Sequence, residues 1–112
     1  MSGDTGEGPG ENGVVERMPL HEALADRDKV LAAYLDPDGR IAQMPRKHRK
    51  RLVLLDHVSR VFEPGVRYEE AEVNALCRSF HDDVAMLRRA LVDEEFLARD
   101  AGQYWRIGGT VE

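Results

Sequence analysis

The stretch VRYEEAEVNALCRSFHDDVAMLRRALVDEEFLARDAGQYWRI, from Val66 to Ile107, carries the order of elements that decides the fold. Val66-Arg67-Tyr68 reads as a brief strand. Glu69 and Glu70 then open a helix, since acids suit the positive end of the helix dipole, and Val73, Leu76 and Phe80 recur at helical spacing with Cys77 packed beside them. Ser79 followed three residues later by Asp82 reads as a capping box. A second helix is therefore expected after only a tight turn, from about His81 to Glu95, with Val84, Leu87 and Leu91 on its core face. Phe96-Leu97-Ala98-Arg99 and Gln103-Tyr104-Trp105-Arg106-Ile107 flank the turn Asp100-Ala101-Gly102 and predict a β-hairpin. Strand alternation sends one of Tyr104 and Trp105 inward and the other outward.

Before this stretch, Arg46 to Phe62 forms the longest amphipathic segment. Leu52, Leu55, Val58 and Phe62, with Leu54 and Val61 alongside, make an apolar stripe, and Arg49, Lys50, His57 and Arg60 line the opposite face. Glu63-Pro64-Gly65 ends it. Further upstream, Asp26 to Leu35 predicts a helix, Asp36-Pro37-Asp38-Gly39 a turn, and Arg40 to Met44 a short edge strand that Pro45 closes. The resulting order from Arg46 is helix, strand, helix, turn, helix, hairpin. It predicts an α+β, mainly helical, winged helix-turn-helix-like domain over residues 26–107, with an extra N-terminal helix and short strand and a C-terminal hairpin wing. A few apolar residues between Val14 and Ala25 allow one helical turn near Leu20 to Ala25. Residues 1–25 otherwise predict a disordered, acidic, Gly-rich tail, and 108–112 a frayed terminus.

At 112 residues, with 42% hydrophobic and 33% charged, the chain suits one small globular domain and leaves no room for a large enzyme scaffold. A lone cysteine excludes an internal disulfide and a cysteine-rich zinc site. No apolar run approaches the roughly 18 residues of a membrane helix, and the Met1 end lacks the basic and apolar regions of a signal peptide, so a cytoplasmic protein is expected.

The formal net charge of −5 argues at first against nucleic acid, but it is uneven. Residues 1–25 carry −4, which leaves the remainder near −1, and Arg46-Lys47-His48-Arg49-Lys50-Arg51 concentrates +5 within six residues. Cations at the start of a helix oppose its dipole, which makes an anion such as a nucleic-acid phosphate a natural partner. The bland alternative is a solvated basic face, or one paired with acids such as Asp36, Asp38 or the tail. Arg88 and Arg89 sit on the helix that would enter a major groove, where one of them could read guanine. Five acids on that same expected helix, Asp82, Asp83, Asp93, Glu94 and Glu95, oppose close approach of phosphate. Arg99 and Arg106 would make the wing contacts. The candidate nucleic-acid residues are thus Arg46, Lys47, Arg49, Lys50, Arg51, Arg88, Arg89, Arg99 and Arg106, and double-stranded DNA is the expected partner.

His81-Asp82-Asp83 invites a metal reading, but His21, His48 and His57 have no spacing that would complete a site, and helix capping accounts for the acids. Cys77 among Val73, Leu76 and Phe80 reads as a buried, inert thiol. The tail glycines precede no strand and helix pair, so no phosphate-cradling loop is present. Neither an enzyme nor a cofactor is expected.

The chain also resembles the bacterial family catalogued as domain of unknown function two thousand and eighty-seven, found in uncharacterised proteins and in proteins classed as transcriptional regulators. The resemblance runs from about Val30 to Arg106. It rests on Asp38-Gly39-Arg40, Pro45-Arg46-Lys47 with Lys50-Arg51-Leu52, Phe62-Glu63-Pro64-Gly65 with Tyr68, and Glu72-Val73-Asn74. It continues through Phe80-His81-Asp82-Asp83, Leu87-Arg88-Arg89, Leu91-Val92-Asp93, Leu97, Arg99, Gly102 and Tyr104-Trp105-Arg106. It implies a regulator-like context and carries over no catalytic or ligand residue. Glu95 departs from the family, whose members often place Gly before the first hairpin strand. Two functional expectations follow: a small non-enzymatic DNA-binding regulator or accessory module, and, from another class, a protein-interaction module on the same fold, with a protein partner or a homodimer, that does not touch nucleic acid.

Overall fold

The computed structural model describes residues 20–110. Residues 1–19, which include most of the expected tail, and residues 111–112 lie outside them. The architecture is α+β, about half helical, with one small antiparallel sheet. A short helix α1 (Leu20–Ala23) and a 3-10 turn (Leu24–Asp26) lead into α2 (Arg27–Tyr34); α3 (His48–Ser59) follows, then β1 (Arg67–Glu69), α4 (Glu70–Arg78), α5 (Val84–Asp93), β2 (Leu97–Asp100) and β3 (Gln103–Arg106).

Helix α3 is the element around which the others assemble. Its residues Leu52, Val53, Leu54, Leu55, Asp56, Val58 and Ser59 are all buried, on more than one face of the helix. A helix buried on several sides needs neighbours on each. α1 and α2 pack against it from the N-terminal side, while α5 packs from the C-terminal part of the chain. Phe62, Val73, Cys77, Leu87, Leu91, Phe96, Leu97 and Tyr104 complete one continuous core with Ala23, Val30 and Ile41. Burying these large apolar side chains supplies the main stabilisation, on the order of 1.5–3 kcal/mol each for a full-sized aliphatic or aromatic group.

The sheet has the order β1-β3-β2, with both neighbouring pairs antiparallel. Residues opposite one another share a face, so Tyr68, Tyr104 and Arg99 lie on one side and Arg67, Trp105 and Ala98 on the other. Tyr104 is the inward aromatic, fully buried, and Trp105 is its outward neighbour. The hairpin turns on Ala101 and Gly102, both with positive φ (52° and 80°), the backbone of a two-residue turn whose twist matches the strands.

Several boundaries differ from the expectation. Helical structure begins at Leu20, ahead of the Asp26 start, because fully buried Ala23 is part of the core. The strand expected over Arg40–Met44 is only an isolated bridge between Leu35 and Ile41, closed by the Ala42 amide on the Tyr34 carbonyl and the Asp36 amide on the Arg40 carbonyl, while the Ile41 amide turns away to the Phe80 carbonyl. The Asp36–Gly39 turn is present, with Asp36 Oδ1 accepting from the amides of Asp38 (2.9 Å) and Arg40 (3.0 Å). Helix α3 spans His48–Ser59 rather than Arg46–Phe62, since Lys47 is extended (ψ 130°) at the N-cap, and Val61, assigned to the apolar stripe, is 38% exposed.

The C-terminal segment is packed, not frayed, through Thr110. Buried Asp56 accepts from the Thr110 amide (2.7 Å) and hydroxyl (3.0 Å), and Arg106 donates to the carbonyls of Phe62, Gly108 and Thr110. Gly109 has φ +94°, and a Cβ there would sit 2.5 Å from Ser59 Oγ, so the close approach requires glycine.

Candidate nucleic-acid interface

The helix expected from His81 to Glu95 is shorter at both ends, which changes its charge. Ser79 is the C-cap of α4, its hydroxyl donating to the Leu76 carbonyl (2.6 Å), and the capping box drawn through it does not form. Asp83 is the true N-cap of α5, its carboxylate accepting from the Met86 amide at 3.0 Å. The capping box of this region lies instead at the start of α4, between Glu69 and Glu72. Of the five acids that opposed phosphate, only Asp93 belongs to α5. Asp82 accepts from Arg40 (2.6 Å), Asp83 caps, and Glu94 bonds His48 at the start of α3 (Nε2 to Oε1 2.9 Å).

Beyond Asp93 the chain leaves α5 through two paired bonds. The Phe96 amide donates to the Leu91 carbonyl (2.9 Å) and the Glu95 amide to the Val92 carbonyl (3.0 Å), with Glu95 in the left-handed region at φ 66°. This is a Schellman ending, the geometry that favours glycine at the position Glu95 occupies. It redirects the chain straight into β2 and so sets the hairpin beside α5.

Between α5 and the hairpin lies a cleft of about 220 Å³, where Arg88, Arg89 and Arg99 meet Val92, Asp93 and Tyr104. Three of the nine candidate cations converge there from two elements. Arg88 is half-buried and donates to Asn74 Oδ1 of α4 (2.6 Å), a neighbouring-helix bond that fixes its course. Arg89 is exposed. Arg99 is exposed as well, and its guanidinium lies 5.5 Å from the centre of the Tyr104 ring, whose hydroxyl donates to Glu70 (2.8 Å). The tyrosine thus supports one arginine while being held in place by a carboxylate of α4.

The remaining candidates divide. Arg46 and Lys47 are exposed and precede α3 instead of lying on it. Arg49 is tied to the N-terminal helices, with Nη2 donating to the Glu22 carbonyl (2.8 Å) and 3.5 Å from Asp26. The acids that meet the basic run are therefore Asp26, at Arg49, and Glu94, at His48, not Asp36 or Asp38. Lys50 sits 5.6 Å over the Tyr34 ring, and Arg51 is half-buried. Arg106 is turned inward, its guanidinium shared among three backbone carbonyls, so it serves the C-terminal segment and not the wing surface.

One cation escaped the sequence reading. Arg67 of β1 stacks over Trp105 at 4.0 Å from the ring centre, on the sheet face opposite Tyr104. Only the cross-strand register joins these two residues, and the sequence gives no short-range sign of it. Two titratable groups are shaped by burial. Burial pushes the Cys77 thiol up to about 11, with Arg88 pulling the other way, as suits an unreactive core sulfur. Burial, then Arg27 and Arg60, hold His57 below its ordinary value against the pull of Asp56, and its ring meets Phe80 edge-on at 5.9 Å. His81, raised above as a metal candidate, accepts from the Asp83 amide through Nδ1 (2.9 Å).

Among the described residues, no helix is long and apolar enough to cross a membrane. The model of a bacterial family described as an uncharacterized conserved protein, DUF2087, matches residues 40–106. No curated protein and no solved structure matches the chain.

Proposed function

The chain belongs to this uncharacterised bacterial family, and we propose that it is a small, non-enzymatic, DNA-binding regulator or accessory module built as a winged helix-turn-helix. The order α3, β1, α4, α5, β2, β3, with β3 between β1 and β2, supports that architecture, in which α5 is the reading helix and the β2–β3 hairpin the wing. The observation that carries the functional reading is the convergence of Arg88, Arg89 and Arg99 on one cleft between α5 and the hairpin. A phosphate or a guanine edge entering that cleft meets guanidinium groups from both elements at once. Of the acids that would repel it, Asp83 caps α5 and Glu94 bonds His48, while Asp82, bonded to Arg40, stays exposed and Asp93 lines the cleft.

In this reading the roles separate. Arg89, exposed on α5, reads bases; Arg88, held by Asn74, and Arg99, supported by Tyr104, position the backbone; Arg46 and Lys47 add phosphate contacts at the start of α3. Arg106 has no part, and Arg49 contributes less than a free side chain would. Each phosphate neutralised adds about −0.9 to the slope of log affinity against log salt. The test is binding of the full chain to random-sequence duplex across a salt series. The expected result is salt-dependent binding whose slope becomes shallower by about 1 in Arg99→Ala, while Arg89→Ala also reduces preference among sequences. Absence of binding at low ionic strength, or slopes unchanged in both variants, refutes the proposal.

A further inference from the structure

A second cavity, of about 330 Å³, lies between α2 and α3, apart from the cleft between α5 and the hairpin. Its apolar lining is Val30, Ala33 and Tyr34, and its charged lining is Lys29, Arg49 and Lys50 against a single acid, Asp26. Cations arrive there from two helices. Asp26 lies 3.5 Å from Arg49, so its charge is partly engaged. Lys47, at the N-cap of α3, offers no side-chain bond to the amides of the first helical turn, which carries Arg49 and Lys50. Finally, Nε of Arg49 has no hydrogen-bond partner among the described residues, while the side chain is 41% exposed and its Nη2 is held by Glu22 and Asp26. A helix start without a side-chain cap and bearing cations favours a negative group.

We propose that this cavity binds a small organic anion, a carboxylate carried on a compact apolar body. Lys29 and Lys50 offer their ammonium groups to a carboxylate, Arg49 adds positive charge beside them, and Val30, Ala33 and the Tyr34 ring take the apolar part. The space corresponds to about ten water-sized atoms, which limits the ligand to small acids. Residues 26–34 precede the family match that begins at residue 40, so the ligand would join the N-terminal helices to the family domain. The site shares no residue with the α5 cleft that carries the DNA-binding reading.

The test is an NMR titration of the isotope-labelled full chain with benzoate, with benzamide as the neutral shape match and inorganic phosphate as the bare anion. The expected result is saturable shifts at the amides of Val30, Ala33, Arg49 and Lys50 with benzoate, at an affinity about tenfold above either control. A Lys29→Gln and Lys50→Gln double variant, which leaves the Arg49 contacts with Glu22 and Asp26 in place, weakens benzoate about tenfold. Any of four results overturns the proposal: no saturable shift at these residues, equal shifts with benzamide, equal shifts with phosphate, or shifts confined to Arg88, Arg89 and Arg99.

Discussion

Glu95 is the residue at which the structure makes its most direct demand on the sequence, and Glu95→Gly is expected to stabilise the protein. A left-handed residue with a Cβ is strained against its own carbonyl by about 1–2 kcal/mol, and Glu95 stands at φ 66° in a Schellman ending whose two bonds are both formed. Glycine removes that strain but adds freedom to the unfolded chain, which returns about 0.5–1 kcal/mol. The net gain is therefore about 0.5–1 kcal/mol, and in a domain of 60–100 residues each 1 kcal/mol moves Tm by about 4–8 °C. Neither hydrogen bond is touched, because both are made by backbone, and Leu91 and Phe96, which flank the ending, are buried in the core and unchanged. The assay is thermal unfolding by circular dichroism of the wild type, Glu95→Gly and Glu95→Ala. Alanine keeps the Cβ and the strain, so it should fall short of glycine. If alanine gains as much as glycine, the stabilisation comes from losing the carboxylate. If glycine gains nothing, the assignment of strain to this position is wrong.

Three further outcomes are expected. Asp56→Ala removes both acceptors that hold Thr110 and leaves a void in the core, so it should lower stability by about 2–3 kcal/mol, read as a fall in the urea midpoint without a change in m, with faster amide exchange at Thr110. His57 has a lowered folded pKa, so below its ordinary value of 6.5 the unfolded chain binds more protons than the folded one. Stability should therefore fall as pH drops from 6.5 toward the folded pKa, and a pH series on His57→Gln should show a flatter slope there. Cys77 should resist iodoacetamide at pH 8 in the folded state and react on denaturation, since its thiol is buried and raised to about 11.

Periodicity made the sequence legible where apolar spacing was regular. α4 and α5 follow Val73, Leu76 and Cys77, then Leu87 and Leu91, and the hairpin follows the alternation around Asp100 to Gly102. Helix ends were less legible because two caps compete for the same residues. Ser79 with Asp82 has the spacing of a capping box, but Ser79 is drawn to Leu76 behind it, and Asp83 takes the N-cap role four residues beyond Ser79. The strand expected at Arg40–Met44 shrank to one bridge with Leu35, and the amide of Ile41 goes instead to the distant Phe80 carbonyl. Asp56 was invisible as a structural residue: an acid inside an apolar helix gives no sign of its partner, and Thr110 lies 54 residues away.

Charge was the least legible property, because a residue's sign is local and its availability is tertiary. Two arginines on one strand pair illustrate the point. Arg99 and Arg106 looked equivalent as wing cations, and both lie on the Tyr104 side of the sheet. Arg99 pairs with Tyr104 near the cleft, whereas Arg106 pairs with Leu97 at the buried end of the strands, within reach of the carbonyls of Phe62, Gly108 and Thr110. Arg67, unremarked in sequence, occupies the other face over Trp105. The sheet therefore presents one cation, Arg99 of β2, toward α5 and another, Arg67 of β1, away from it. A polyanion approaching from the α5 side meets Arg99 with Arg88 and Arg89, and the loss of Arg67 should leave that approach unchanged.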